Sequence, residues 1–406
     1  MGTTLIGHID SDCFYVSCER VRSYTLRGVP CGVLGNQGAC VIAKSYELKS
    51  YGVKTGHPIW EAKKLCPHAV FVKRDFRWYE VISRRLLELL KMVSPRVEYY
   101  SIDEMFFDAG ELQRYFQLPL QEATRALQTL VQDEVGVPVS IGIAPSRALA
   151  KLGSDAAKPF GVRIVDRENC EAFLRSQPVG ELCGIGRRSE RKLQDRNIHT
   201  CWDFRQADRL LIRDLLTIKG EALWWELRGD SVTPIQTSRP PHKAIARGGS
   251  CGGKTSDPER IRAWAVRNIE RLIEALDHHR VYARHISLQI DANKTALWLG
   301  RTPLAVPSAS FRTIYDAVMP MLAAAPQDHL VSHMHIIAEN LVWRDRIQKS
   351  LFFEDAQSPL DQIKRNINQK LGRFAIRSAE TLPLHEIYHD TTHNYDICDI
   401  SGKMCF

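Results

Sequence analysis

Four residues, Ser101-Ile102-Asp103-Glu104, constrain this 406-residue chain more than any other stretch. They lie between two strand-like runs, Arg96 to Tyr100 and Met105 to Asp108. Carboxylates are disfavoured in strands and rarely go fully inside unless paired or bound to a metal. Neighbours on a strand point to opposite faces, so an Asp-Glu pair reaches one point only where the strand turns or bends. Two readings stand here: a platform for a metal ion, and a solvated acidic turn. A second stretch favours the first. Thr4 to Ile9 reads as a short apolar strand ending in Asp10-Ser11-Asp12, followed by Cys13-Phe14-Tyr15 and a helical run to Arg22. An Asp at the C-terminal end of a buried strand, facing a helix start, stands where α/β active sites form. Asp10, Asp103 and Glu104 offer the oxygen ligands that Mg²⁺ takes, and they would repel one another without a cation. Two such ions, roughly 3.5–4 Å apart, clamp the attacking and leaving oxygens of a phosphoryl transfer. Asp12 has a different expected role, as the N-cap of the helix that begins at Cys13.

At roughly 100–200 residues per domain, the length allows about two to four domains. Hydrophobic content of 44% and charged content of 25% are ordinary for a globular protein. No run approaches the ~18–20 apolar residues that span a bilayer, and no basic-then-apolar leader opens the sequence. Membrane and secreted classes are therefore set aside, and a cytoplasmic protein is expected. A net charge of +8 and a pI near 8.9 suit a polyanionic partner, although many proteins that bind none carry a similar excess. The 11 cysteines contain no Cys-x-x-Cys pair and read as reduced thiols packed as small hydrophobes.

Strands and helices alternate up to about residue 165, which predicts an α/β or α+β block. Expected strands include Val29 to Leu34, Ala39 to Ala43, Val70 to Val72 and Val137 to Ile143. Expected helices include Ser45 to Tyr51, Ile59 to Leu65, Phe76 to Met92, Leu120 to Glu134 and Ser146 to Ala157. From Cys170 to Asp230 the pattern is helical, with runs Leu193 to Phe204 and Leu210 to Leu227. Thr233 to Lys243 holds three prolines and reads as a linker. Ile245 to Trp343 predicts a second α+β unit, with helices Arg260 to Leu276 and Phe311 to Leu322 and strands His285 to Asp291 and His333 to Asn340. The remaining tail carries one amphipathic helix, Pro359 to Leu371.

Several local patterns have both a bland and a functional reading. Phe14-Tyr15 supplies the first apolar contacts of its helix. Tyr46 and Lys49 share a helix face that either holds phosphate oxygens or is simply solvated. Lys158 places a cation at a helix C-terminus, favourable with or without a ligand. Gly184-Ile185-Gly186, with Arg187, Arg188, Arg191 and Lys192 beyond, is more specific. Its glycines let backbone N–H groups approach phosphate at a helix start, and its cations attract a nucleic-acid backbone. Gln348-Lys349-Ser350-Leu351-Phe352-Phe353 either docks on the protein's own surface or inserts its Leu and Phe into a partner's pocket.

In joint order and spacing these stretches resemble the Y-family translesion DNA polymerases, most closely the bacterial UmuC/DinB-type branch. The resemblance rests on Asp10 to Tyr15, Val41 to Glu47, Tyr51 to Gly56, Ser101 to Glu104, Val139 to Ala144, Ala156 to Pro159 and the Gly184-Ile185-Gly186 hairpin. It implies an α+β right-hand fold: palm from 1–13 and 75–165, small fingers from 14–74, and a helix-hairpin-helix thumb from 166–232. A linker at 233–243, a little finger at 244–345 and a tail at 346–406 complete it. The function implied is low-fidelity, template-directed synthesis past damaged bases, in an SOS mutagenesis setting. The implied ligands of two Mg²⁺ ions are Asp10, Asp103, Glu104 and the Ser11 carbonyl, with Asp103 and Glu104 catalytic. Tyr15 stands where the family places its steric gate against a 2′-hydroxyl. Phe14, Tyr46, Lys49 and Lys158 stand where it holds the incoming triphosphate, and Cys40, Ile42 and Gly56 where it faces the nascent base pair. The family often has Arg where this chain has Lys49, which keeps the charge without the bidentate grip. Gly184, Gly186, Arg187 and Arg188 are implied DNA contacts, and Gln348, Leu351 and Phe352 resemble a sliding-clamp peptide. The implied partners are primer–template DNA, deoxynucleotides, the clamp and an accessory mutagenesis subunit. A catalytically silent polymerase-like scaffold is the alternative, and it would be expected to lack the metal carboxylates.

Overall fold

The computed structural model describes residues 5–35, 40–238, 242–292, 295–326, 329–347, 359–371 and 374–384. Gln348, Leu351 and Phe352 lie outside these residues, as does the end of the tail. Two compact units divide at residue 239/240, inside the expected linker.

The first unit is built on β1 (Ile6–Ser11), every residue of which is buried. After it come α1 (Phe14–Arg22), β2 (Cys31–Leu34), β3 (Val41–Lys44), α2 (Tyr46–Ser50), α3 (Ile59–Leu65) and β4 (Val70–Lys73). The strands β3-β2-β4 form a small sheet with a core of its own around Leu34, Val41, Leu48 and Ala62. The chain then runs through α4 (Phe76–Val93), β5 (Val97–Tyr99), β6 (Glu104–Asp108), α5 (Leu112–Phe116), α6 (Leu120–Glu134), β7 (Val139–Ala144), α7 (Arg147–Ala157) and β8 (Val162–Ile164). The main sheet has the order β5-β6-β1-β7-β8, with β1 antiparallel to both neighbours. Strand alternation sends Ile9, Met105, Phe107 and Ile141 into a core with Leu86 and Leu90 of α4 and Leu127 of α6. The other face carries Ile6, His8, Asp10, Glu104 and Phe106, and α7 lies across it. Gly142 permits that approach. A Cβ there would stand 2.0 Å from the Ala150 carbonyl oxygen and 2.4 Å from the Ser154 nitrogen, inside the helix backbone.

A helical region follows: α8 (Cys170–Ser176), α9 (Arg187–Gln194), α10 (Cys201–Gln206) and α11 (Arg209–Leu227). The expected continuous run from Leu193 to Phe204 is broken. The Thr200 hydroxyl accepts from the Asp203 N–H while the Asp203 carboxylate accepts from the Thr200 N–H, a capping box that starts a new helix. In α11, Thr217 has a non-helical backbone at φ 66° and ψ −167°, beside the Lys219-Gly220 punctuation.

In the second unit the elements are β9 (Ala244–Thr255), α12 (Pro258–His278), β10 (Val281–Ala292), β11 (Thr295–Ser308), α13 (Phe311–Ala324), β12 (Val331–Glu339), β13 (Val342–Trp343) and α14 (Pro359–Leu371). Its main sheet has the order β11-β10-β12-β9. The sequence patterns predict strands matching β10 and β12, and two others, β9 and β11, escape those patterns. β9 carries Gly248, Gly249, Gly252 and Gly253, and β11 carries Pro303 and Pro307. Both are edge strands, where a missing donor or side chain costs least. The helix α14 has its expected bounds, and Lys364 on it pairs with the buried Glu270 of α12. Glu380, farther along, pairs with Arg262, so this part of the tail packs on the second unit.

Candidate active site

The antiparallel register of β1 and β6 sets Asp10 directly opposite Glu104. Asp103 stands one residue earlier, in the turn from β5, and its carbonyl accepts from the Ser11 N–H at 2.9 Å. Ser101 closes that turn. Its hydroxyl donates to Asp103 Oδ1 at 2.5 Å, and its Oγ accepts from the Glu104 N–H at 3.1 Å. Three carboxylates from two distant parts of the chain thus gather at one end of two paired strands.

Lys151 of helix α7 and Lys158 at its C-cap supply the opposing charge, with Asp155 between them. Lys158 Nζ lies 2.7 Å from Asp10 Oδ2 and 2.8 Å from Asp155 Oδ1. Lys151 Nζ lies 2.9 Å from Glu104 Oε1 and 3.7 Å from Asp155 Oδ2. Burial pushes the Asp10 carboxyl up to about 7, against the pull of Lys158 and with the push of Glu104 and Asp103. Asp103 is also raised, chiefly by burial, against its bond from Ser101. Burial opposes ionisation of Glu104 too, but His8 and Lys151 outweigh it and hold that carboxyl below its ordinary range. Burial lowers the pKa of the fully enclosed His8 imidazole, against the pull of Glu104. These opposed shifts in neighbouring groups are what a charge-handling site produces.

Asp12 does not cap the helix. The N-cap of α1 is Cys13, in the left-handed region at φ 48°, without a side-chain cap bond. The Asp12 carboxylate instead turns inward. It accepts from the Phe160 N–H at 2.7 Å, from the Ser140 hydroxyl at 3.1 Å and from the Tyr46 hydroxyl at 3.3 Å. Three segments distant in sequence meet on it, a stronger demand than a helix end can make. Tyr46 and Lys49 do share a face of α2, with Lys49 Nζ 5.9 Å from the Tyr46 ring centroid.

The Tyr15 ring stacks on Tyr79 of α4, centroids 4.7 Å apart and planes 18° apart, and meets Phe76 edge-on at 5.5 Å. The Tyr79 hydroxyl donates to the buried Glu19 at 2.7 Å, so the wall behind Tyr15 is itself anchored. Phe14 is a core residue, only 4% exposed, and its side chain is committed to packing. Half-buried Cys40 and Ile42 flank Val41, whose carbonyl accepts from the Gly56 N–H at 2.8 Å and whose N–H donates to the His57 carbonyl at 2.9 Å. These bonds lay the Gly56 turn beside β3. Gly184 takes φ 104°, a left-handed value that glycine adopts freely, and Gly186 is the N-cap of α9. Arg187 and Arg188 follow on its exposed first turn.

A divalent cation fits this donor set. All three side chains are carboxylates, the hard oxygen ligands of such ions. Two of them are held short of ordinary acidity by burial, and the counter-charge on Asp10 is the Lys158 ammonium, which an ion could displace. Among the described residues no three His, Cys, Asp or Glu side chains already close on a common point.

Sequence comparison places residues 9–155 in the impB/mucB/samB family, 167–198 in the IMS family HHH motif, and 242–351 in the C-terminal domain of the same family. A solved Y-family DNA polymerase chimera has the same fold, with a TM-score of 0.71 over 84% of this chain and 99% of the other at 20% identity. DNA polymerase IV 1 of Bacillus subtilis is 30% identical over 400 residues, 94% of each chain. The chain belongs to the bacterial Y-family translesion DNA polymerases. Protein SamB of Salmonella typhimurium, 30% identical over 328 residues and 77% of each chain, lies in the same family. The fold of this Y-family chain is accordingly the right hand, with a separate sheet-rich C-terminal domain. Polymerases of the family use divalent metal ions. No described helix is long and apolar enough to cross a membrane.

Sequence reasoning missed Lys151, Asp155, Ser154, His8 and Tyr79 in this Y-family site. The signal was present for the first two. Lys151, Asp155 and Lys158 fall on one stripe of a helix whose other faces are apolar, and a charged stripe on a helix that must cover a sheet marks a polar site beneath it.

Proposed function

We propose that the chain extends primers across damaged template bases at low fidelity, joining deoxynucleotides to the primer 3′-hydroxyl. Asp10, Asp103, Glu104 and the Ser11 carbonyl would hold two Mg²⁺ ions. When bound, these supply charge neutralisation at the triphosphate and a lowered pKa for the attacking hydroxyl. The observation that carries this reading is the meeting of Asp10 with Glu104 across the β1–β6 pair, with Asp103 tied to Ser11.

The chain's own groups do the rest by position. Lys158 exchanges its bond to Asp10 for phosphate oxygens as substrate and ions arrive, and Tyr46 and Lys49 grip the same triphosphate from α2. Phe14 offers its backbone. Tyr15, held against Tyr79, presents a rigid ring edge where a 2′-hydroxyl would stand. Cys40, Ile42 and Gly56 put little bulk over the nascent pair, so shape selection is weak and distorted bases enter. The N–H groups at Gly184 and Gly186, with Arg187 and Arg188, hold the DNA backbone without reading sequence.

Palm, fingers, thumb and little finger take the ranges given above, with the boundary at 239/240 supporting the linker. Gln348, Leu351 and Phe352 would tether the enzyme to a sliding clamp, compensating for its small grip. An accessory mutagenesis subunit, SOS-linked expression and a cytoplasmic, nucleoid-associated location belong to the same reading. A silent scaffold would be expected to lack these carboxylates, and the chain carries all three.

Primer extension tests the proposal. With Mg²⁺ and four deoxynucleotides, the protein should extend past an abasic or adducted base. Asp103→Ala should lose extension while primer–template binding stays within about twofold, because it removes an ion ligand and no phosphate contact. Retained extension would refute the assignment.

A further inference from the structure

His8 is fully enclosed and packs against Phe106, ring centroids 4.5 Å apart and planes tilted by 55°, on the face of β1 that carries Asp10. Its Nδ1 lies 2.6 Å from Ser154 Oγ, and its Nε2 faces Glu104 Oε2 at 3.7 Å without a hydrogen bond. The Ser154 hydroxyl lies 2.8 Å from the Lys151 carbonyl.

A hydroxyl has one proton to give. If Ser154 gives it to the Lys151 carbonyl, Nδ1 must carry the ring proton, and Nε2 presents a bare lone pair to a carboxylate. That leaves a buried acceptor facing another acceptor, a costly arrangement. If Ser154 turns its proton to Nδ1, Nε2 carries the ring proton and points it at Glu104. The Lys151 carbonyl then loses only an extra bond, since it sits within α7 and accepts from the backbone there. The second arrangement satisfies every buried group after a shift of Glu104 by under about 1 Å.

We infer that His8 is a positioning residue for Glu104: Ser154 sets its tautomer, and its Nε2–H holds Oε2 while Lys151 holds Oε1. Gripped at both oxygens, the Glu104 carboxylate keeps its plane turned toward the ion position when Asp10 and Asp103 move. This rests on the proposed metal role of Glu104. Partners that orient ligating side chains in this way commonly govern affinity by about 10–100-fold.

The test is a Mn²⁺ titration, read by electron paramagnetic resonance, of the full chain on a primer–template ending in a dideoxynucleotide. Turnover is then absent and binding alone is measured. His8→Phe keeps an aromatic ring and removes both nitrogens, and should weaken Mn²⁺ binding about tenfold. His8→Asn, which reaches Ser154 but not Glu104, should do the same. His8→Gln places an amide N–H where Nε2–H was and should restore affinity to within about threefold. A merely structural role predicts that affinity follows thermal stability across the three variants, with no recovery in His8→Gln, and that result overturns the inference. Glu104→Gln is the reference. If it leaves Mn²⁺ binding unchanged, the metal role of Glu104 itself fails, and the inference with it. If it weakens binding while His8→Phe does not, only the inference fails.

Discussion

Asp10 and Asp12 sit two residues apart at the end of one strand, both buried, and their partners give them different work. Asp10 meets an ammonium that can leave, whereas Asp12 meets the Phe160 N–H and the Ser140 hydroxyl, which are built into the fold. Asp12→Ala should therefore behave as a core deletion. It strands the Phe160 N–H and the Ser140 hydroxyl, and should cost about 3 kcal/mol in urea unfolding. A loss near 1 kcal/mol would instead fit a helix cap and contradict this assignment. The contrast also shows what a sequence can disclose at this scale. Asp103 and Glu104 announce themselves because two acids interrupt an apolar strand pair. Asp12 looks like any N-cap aspartate, and nothing local records that Phe160, Ser140 and Tyr46 converge on it. His8 is hidden in the same way, since a lone histidine in an apolar strand carries no mark of its partner 146 positions away.

Helix α7 is the element that turns the end of a strand pair into a site, and its distance from the sheet decides whether Lys151 and Lys158 reach the acids. That distance is set at Gly142. In Gly142→Ala the added methyl would overlap backbone atoms of Ala150 and Ser154, which cannot rotate away. The helix must lift, so a stability loss of about 2–3 kcal/mol is expected together with at least a tenfold fall in extension rate. Unchanged stability would mean that the helix is not seated as described. Elements with strong periodicity, such as α4, α6 and α14, are legible to within a residue or two. Those that fail do so for identifiable reasons. The glycines of β9 and prolines of β11 erase strand signals that only an edge position allows. The Thr200 capping box interrupts a run whose apolar spacing continues across the break.

Across the whole molecule, 55 basic against 47 acidic residues favour a polyanion, but net charge alone does not say where it binds. The exposed first turn of α9 does. Arg187→Ala with Arg188→Ala should weaken primer–template binding on any sequence and lower the slope of log affinity against log salt by about 2, one per lost phosphate contact. An unchanged slope would place the DNA elsewhere. The right-hand fold was readable from the order of many weak motifs, each local. The docking of residues 359–384 on the second unit was not, because Lys364–Glu270 and Arg262–Glu380 join positions that no motif connects. The account stands or falls on the acids at the end of β1. Crystals grown with primer–template and a non-hydrolysable deoxynucleotide, soaked in Mn²⁺, give the direct measurement by anomalous scattering. Two peaks should appear within about 2.0–2.3 Å of oxygens from Asp10, Asp103 and Glu104, with Lys158 moved from Asp10 to phosphate. Peaks elsewhere, with Lys158 still holding Asp10, would contradict it.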